Sequence, residues 1–493
     1  MSAAPAIWPA PQQDWEVVIG LEVHVQLATR SKFFCGCAVS YGEPPNHHVC
    51  PVCLALPGAL PVPNAAAVER AIRAALAMHC RIAPRSIFAR KNYFYPDLPK
   101  GYQISQYEEP LATGGWIEIP GIEGEGEAAP RRIGITRIHM EEDAGKSIHA
   151  RAAAETHVDL NRAGVPLAEV VSEPDLRSPA EAGAYLRTLR ELLRWVGASE
   201  ANMEQGQFRC DANVSLRRPG EARLGTRCEI KNLNSFRFVE EALRAEVARQ
   251  AELLEEGEAV VQATLGYDAE RGRIFVMRTK ENAEDYRYFP EPDLVPLHVP
   301  EAQVEAIAAA MPELPERRRV RLAEAHGLAA AEAALLTASR AWADWFEAAA
   351  ESHGDGRRVA RGMLRDLLAV LKESELELEQ MALTSQAFAR LLALVDAGRV
   401  TAKSARELLP ELVSRGGDPE ALVRERGLEA LSDEGLLEGL VDEVLAAQPK
   451  AVASYAAGDA KALNFLMGQV MRRTRGKADP ARVRALLTRK LEG

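Results

Sequence analysis

The stretch Val18-Ile-Gly-Leu-Glu-Val-His-Val-Gln26 alternates apolar and polar side chains. Successive side chains of a strand point to opposite faces, so Leu21, Val23 and Val25 share one face and Glu22, His24 and Gln26 the other. The same period of two recurs over 116–119, 132–139 and 273–277. Over 207–217 it places Phe208, Cys210, Ala212, Val214 and Leu216 on one side, with Arg209, Asp211, Asn213, Ser215 and Arg217 in a row on the other. Helical periodicity covers 66–78, 179–196 and 238–256. Strands interleaved with helices, without regular βαβ spacing, predict an α+β domain with a largely antiparallel sheet over 15–295. A single alternating strand with a solvated outer face is commonplace, so the polar rows gain meaning only if several strands bring them together.

After Pro290-Glu-Pro-Asp-Leu-Val-Pro296 the chain turns to Ala, Leu, Glu and Arg with helical spacing, as over 317–326 and 359–371. This predicts an all-α segment over 296–410. A second break at Ser414-Arg-Gly-Gly-Asp-Pro419 combines turn residues with a helix cap and opens a small helical tail, 411–493. Residues 1–14 lack the basic start and long apolar stretch of a secretory signal and are expected to be a disordered leader. A length of 493 residues fits about three domains. No apolar run is long enough for a membrane span, which points to a cytoplasmic protein.

The formal charge of −11 argues against wholesale coating of nucleic acid, yet the tail is locally reversed. Its start, 432–443, is acidic. Its end carries Arg472, Arg473, Arg475, Lys477, Arg482, Arg484, Arg489 and Lys490, with Asp479 the one acid between 471 and 490. Clustered arginines attract phosphate; the plainer alternative is a solvated helix face.

Seven cysteines without an export signal argue for reduced thiols or metal ligands. Cys35-Gly-Cys37 and Cys50-Pro-Val-Cys53 form two close pairs across a loop holding Gly42, Pro44 and Pro45. Four thiolates so spaced match a closed, tetrahedral structural Zn²⁺ site, against the alternatives of a redox pair or unmetallated thiols. His47 and His48 lie in the loop, but four thiolates already fill the coordination. Cys80, Cys210 and Cys228 read as buried thiols.

The remaining chemistry is acidic and amide-rich. Gly145-Lys146-Ser147 looks like the end of a phosphate loop, but the motif requires glycine where Met140 stands. What is left is Glu141, Glu142 and Asp143 at a strand end, which calls for nearby cations or a solvated turn. Glu169 interrupts an apolar strand and must be solvated or paired. Glu229, Lys231, Asn232, Asn234 and Arg237 follow. Hard carboxylates with Arg and Lys suit Mg²⁺-assisted phosphoryl transfer.

Taken together these motifs resemble the B-type family of the bacterial aspartyl/glutamyl-tRNA(Asn/Gln) amidotransferases. The matching stretches are Ile19-Gly-Leu-Glu-Val-His-Val25, Pro96-Asp-Leu-Pro-Lys-Gly-Tyr-Gln-Ile-Ser-Gln106, His139-Met-Glu-Glu-Asp-Ala-Gly-Lys146, Asp159-Leu-Asn-Arg162, Phe208-Arg-Cys-Asp-Ala-Asn-Val-Ser215, Glu229-Ile-Lys-Asn-Leu-Asn-Ser235 and Asp285-Tyr-Arg-Tyr-Phe-Pro-Glu-Pro-Asp-Leu294. The resemblance implies a cradle of the glutamine synthetase/guanido kinase kind. It also implies ATP-dependent phosphorylation of the side-chain carboxylate of Glu-tRNA(Gln) or Asp-tRNA(Asn), then amidation by ammonia. Glu22, His24, Glu142 and Glu169 would line the Mg²⁺ and ATP site with Glu141 as a catalytic neighbour. Asp211, Asn213, Lys231 and Asn232 would contact phosphate or metal, and Arg472, Arg473, Arg475 and Lys477 would contact tRNA. Implied partners are an amidase-type A subunit that supplies ammonia from glutamine and a small C subunit, in a heterotrimer. The alternatives are a non-catalytic tRNA-binding scaffold and the archaeal E-type relative, whose added synthetase-like domain finds no room in this chain.

Overall fold

The computed structural model describes residues 14–122, 129–149, 155–279, 285–431, 434–474 and 477–492. The expected leader up to residue 13 and Arg475 lie outside them, as does the side chain of Asn232. The chain divides into two compact units, 1–314 and 315–493.

The first unit is built on a ten-stranded sheet. Its main strands are β1 (Glu16–Gln26), β4 (Arg131–Glu142), β5 (Pro166–Ser172), β6 (Phe208–Arg217), β7 (Cys228–Leu233), β8 (Ala263–Asp268) and β9 (Arg273–Thr279). A separate small sheet contains β2 (Ala89–Asn92) and β3 (Tyr102–Ser105) together with Phe289–Pro290. The large sheet runs β9-β8-β7-β6-β1-β5-β4 and continues into the short strands Ala112–Thr113 and Arg81–Ile82. Trp116–Ile119 pairs with β4 off this path. All these pairings are antiparallel except β7 with β8, as the sequence leads one to expect.

Why the sheet has one apolar and one polar face follows from the alternation. Leu21, Val23 and Val25 of β1 and Phe208, Cys210, Ala212 and Val214 of β6 are buried in one continuous core. That core also holds α1 (Ala65–Ala77), α2 (Pro179–Trp195) and α3 (Phe236–Glu255). Each helix starts where a polar side chain satisfies a free backbone N–H: Asn64 accepts from Ala66, Ser178 from Glu181 and Ser235 from Phe238. Helices cover the apolar face, so the polar rows are left on the other.

The first unit continues beyond the expected boundary at 295. Strand Leu297–His298 pairs with Arg85–Ser86, and α4 (Glu301–Ala309) places Ile307 in the first core. The second unit is helical. One cluster, from Leu322 to Val423, takes in the helix Ala402–Arg415 through Leu408, Leu409 and Leu412. A second, smaller cluster joins Leu437, Val441 and Val444 of α5 (Glu434–Ala447), Leu466 and Val470 of α6 (Ala460–Arg473), and Val483 and Leu487 of α7 (Pro480–Glu492). The tail's own core therefore begins near 437, not at the expected 411.

Phe208 lies fully buried behind the polar row of β6, edge-on to Phe236 with ring centroids 5.9 Å apart. Phe208→Ala leaves a cavity at this junction and is expected to cost about 3–5 kcal/mol, read as a lower denaturant midpoint for the first unit.

Candidate active site and metal centre

The polar face gathers one row from each of five adjacent strands. Register sets them side by side: Glu22 of β1 lies opposite Asp211 of β6, and His24 lies between Glu169 of β5 and Arg209 of β6. Glu169 in turn faces His139 of β4, and Asn213 faces Glu229 of β7. At the centre, His24, Glu141 and Glu169 offer ligand atoms that all lie within 4.8 Å of one another. His24 Nδ1 is 3.1 Å from Glu141 Oε1 and 3.7 Å from Glu169 Oε2. His139 Nε2 stands 3.1 Å from Glu169 Oε2, and the Ser105 hydroxyl donates to Glu141 Oε2 at 3.3 Å.

This cluster is electrostatically strained toward holding cations. Burial opposes a charged His24, but Glu169 and Glu141 outweigh it and raise the imidazole to about 9. Burial likewise disfavours both carboxylates, yet His139 and His24 hold Glu169 far below the usual carboxylate range, and His24 holds Glu141 below it. Lys91 of β2, with its Nζ 4.7 Å from the Tyr286 ring centroid, feels the charge of the cluster. Its ammonium is disfavoured by burial, but the Glu141 charge and its neighbours raise it above the usual lysine range. Glu22 goes the other way, raised by burial first and then by Glu169 and Glu229, with Asn213 Nδ2 donating to its Oε1 at 3.0 Å.

The three consecutive acids are all buried, which rules out the solvated turn, and each turns to a different partner. Glu141 joins the cluster. Glu142, one residue on, points the other way: its carboxylate pairs with Lys100 Nζ at 2.6 Å and accepts from the Ile104 N–H at 2.9 Å. It lines a cavity of about 200 Å³ together with Cys35, Cys53, Lys100 and Tyr102. The structure thus does not bring Glu142 to His24 and Glu169. Asp143 binds Arg209 Nη2 at 2.8 Å and Gln26 Nε2 at 3.0 Å. Lys231 Nζ bridges Asp211 at 3.1 Å and Glu229 at 3.0 Å. His139 and Lys91 were not singled out from the sequence. Strand parity would have found His139, which shares a face with Glu141, whereas Lys91 belongs to another sheet.

Cys35, Cys37, Cys50 and Cys53 also converge, with all four sulfurs within 4.8 Å of one another. The Cys37–Cys53 separation is 4.0 Å and Cys50–Cys53 is 3.8 Å. A tetrahedron with metal–sulfur bonds of about 2.3 Å has edges of about 3.8 Å, so the four thiols fit a closed tetrahedral metal site. The Cys53 thiol is drawn down to about 4, mainly by its hydrogen bond with Cys35, with Lys32 among the smaller contributors.

In the tail, sequence-distant charges meet. Arg473 Nη1 pairs with Glu443 at 2.9 Å, Lys490 Nζ with Asp442 at 2.6 Å, and Arg489 with Glu438. Arg472 is exposed and makes no ion pair among the described residues, and Lys477 is half-buried.

An acid-rich sheet with a four-cysteine loop and a helical extension defines a two-part chain, an α+β domain ahead of a helical module. Residues 17–305 match the GatB/GatE catalytic domain and residues 344–491 the GatB domain. The chain is 52% identical to the B subunit of the aspartyl/glutamyl-tRNA(Asn/Gln) amidotransferase of Oleidesulfovibrio alaskensis, over 97% of this chain and 99% of that protein. It is 52% identical to the protein of the same name in Anaeromyxobacter sp. strain Fw109-5, over 98% and 100%. With the protein of that name from Halorhodospira halophila the chain shares 50% identity, over 97% of this chain and 99% of that protein. The chain belongs to the B-type family of aspartyl/glutamyl-tRNA(Asn/Gln) amidotransferase subunits, which serve in tRNA-dependent amidation. No helix among the described residues is long and apolar enough to cross a membrane.

Cys53→Ser removes one corner of the sulfur tetrahedron. The purified variant is expected to carry well under half the bound metal of the parent, measured by elemental analysis after dialysis.

Proposed function

We propose that this chain phosphorylates the side-chain carboxylate of Glu carried on tRNA(Gln), or Asp carried on tRNA(Asn), and then forms the amide. A carboxylate oxygen of the substrate attacks the γ-phosphorus of ATP, giving an acyl phosphate and ADP. Ammonia then attacks the acyl carbon, loses a proton to a nearby base, and inorganic phosphate leaves. The activation is needed because oxide is too poor a leaving group for direct amidation. The observation that carries this reading is the convergence of His24, Glu141 and Glu169, with His139 and Lys91 around them, on the polar face of five strands in a chain of this family.

Two carboxylates and an imidazole form a donor set that accepts a divalent cation, and Mg²⁺ bound there would offset phosphate charge. Glu141 replaces Glu142 in this assignment, since Glu142 is held by Lys100. His139 orients Glu169. Arg209 and Lys231, each already tied to acids across the cradle, present cations toward the same face and suit phosphate oxygens. Asp211 and Asn213 position Lys231 and Glu22 respectively. The four-cysteine loop is assigned structural Zn²⁺. Ammonia would come from an amidase-type A subunit, with a small C subunit completing the assembly, and the tail would bind tRNA phosphates.

In the reconstituted complex, Glu141→Gln and Glu169→Gln are each expected to lower ATP-dependent amide formation by at least about a hundredfold while the partner's glutaminase activity persists. Parent-like transamidation by both variants would favour a non-catalytic tRNA-binding scaffold instead. In the tail, Arg472→Glu is expected to raise the KM for aminoacyl-tRNA several-fold and to reduce its salt dependence, because no acid among the described residues occupies this exposed cation. Arg473→Glu, whose guanidinium is shared with Glu443, is expected to have the smaller effect, measured by the same titration.

A further inference from the structure

Lys32 is completely buried. An ammonium has three N–H donors, and Lys32 gives two of them to backbone carbonyls: His48 O at 2.7 Å and Leu160 O at 3.2 Å. Among the described residues no carboxylate pairs with it. A buried cation held only by two neutral carbonyls is poorly compensated, because taking a charge out of water costs several kcal/mol unless an opposite charge meets it. The four-cysteine loop is close at hand. The Lys32 backbone N–H closes the Cys35-Gly36-Cys37 turn onto Cys37 O at 2.9 Å. Its side-chain stem and Cys53 both flank Gly164: a Cβ placed there would lie 3.6 Å from Lys32 Cδ and 3.8 Å from Cys53 Cβ.

We infer that Lys32 is a positioning residue of the four-cysteine metal centre, a buried counter-cation whose charge offsets that of the metal-bound thiolates and whose hydrogen bonds hold the metal loop to the segment 159–162. This rests on the reading of the cysteines as a metal site. Four thiolates around a divalent cation leave a doubly negative complex, and a single buried ammonium removes half of that excess. The hydrogen bonds join the same parts. His48 belongs to the loop between the two cysteine pairs, and its own N–H donates to Asn161 Oδ1 at 2.8 Å. Asn46 of the same loop receives the Leu160 N–H at 2.8 Å, and Asn161 Nδ2 donates to Pro44 O at 2.7 Å. Arg162 then carries the segment to the cradle through Ala144 O and Gly145 O, at 3.0 and 2.6 Å.

The test uses the full-length chain with Zn²⁺ or Co²⁺ alone. The parent is expected to bind one Co²⁺ with intense thiolate-to-metal absorption; failure to do so would remove the metal reading itself, independently of Lys32. Lys32→Met is expected to weaken Zn²⁺ binding by about 10–100-fold in chelator competition. It should lower the melting temperature of the zinc-loaded protein by more than that of the metal-free protein, which loses the two carbonyl hydrogen bonds but has no metal-bound thiolates for the ammonium to offset. Asn161→Ala, which cuts a loop tie and leaves the charge, is expected to stay within about twofold of the parent for Zn²⁺. Zinc affinity unchanged in Lys32→Met, an equal loss of stability with and without zinc, or an equal effect of Asn161→Ala would each overturn the counter-cation role. Lys32→Gln, whose amide still donates toward the two carbonyls, takes the same measurements where Lys32→Met does not fold.

Discussion

Buried negative charge governs the first unit. Glu141, Glu142, Asp143 and Glu169 are each less than a tenth exposed and lie on two neighbouring strands or their ends. Removing that many carboxylates from water is tolerable only if cations come with them. The fold supplies a partner for each: His24 for Glu141, Lys100 for Glu142, Arg209 for Asp143 and the His139 imidazole for Glu169. These partners arrive from three different strands and from the loop ahead of β3, so the sheet must close in its observed register before the acids can be buried. The stability of this region and the geometry of the site are therefore the same problem.

That coupling favours a reactive site held ready for a polyanionic substrate. Side chains that must pair to fold are fixed by their partners, and fixed dipoles and charges need little reorganisation when phosphate arrives. The raised His24 and the lowered Glu169 and Glu141 follow from their mutual pairing, which overcomes the cost of burial. Glu22, raised by burial first and then by Glu169 and Glu229, shows the other side of the balance: not every acid of the cradle floor is offset by a cation. The four-cysteine loop repeats the pattern with sulfur in place of oxygen, and the tail repeats it in weaker, solvent-exposed form where α6 and α7 set basic residues against the acids of α5.

Particular residues show how much could be read without coordinates. Alternation alone placed Glu22, His24, Asp211 and Asn213 on one face, and the register confirms that these rows are adjacent. The cysteine spacing located the sulfur tetrahedron. The tail was harder, because helix packing brings together charges some 30 to 50 residues apart in sequence and turns Arg473 from a free phosphate ligand into half of an ion pair. Glu142 shows the limit of its motif: His139-Met-Glu-Glu-Asp143 does not say which of two adjacent acids turns toward His24. Neighbours in a strand face opposite ways, so only one of the pair joins His24.

By itself the sequence determined the two-faced strands, the capped helices, the thiolate set and the shift to an all-helical second half, because these depend on spacing and side-chain type within short stretches. The tertiary structure alone decided which acids share a site, that Lys91 overhangs them from a second sheet, that Lys32 lies buried against the cysteine loop, and where the first unit ends. Those outcomes depend on strand register and on charge compensation between distant segments, and a buried charge can choose its partner only once the chain has brought that partner within reach.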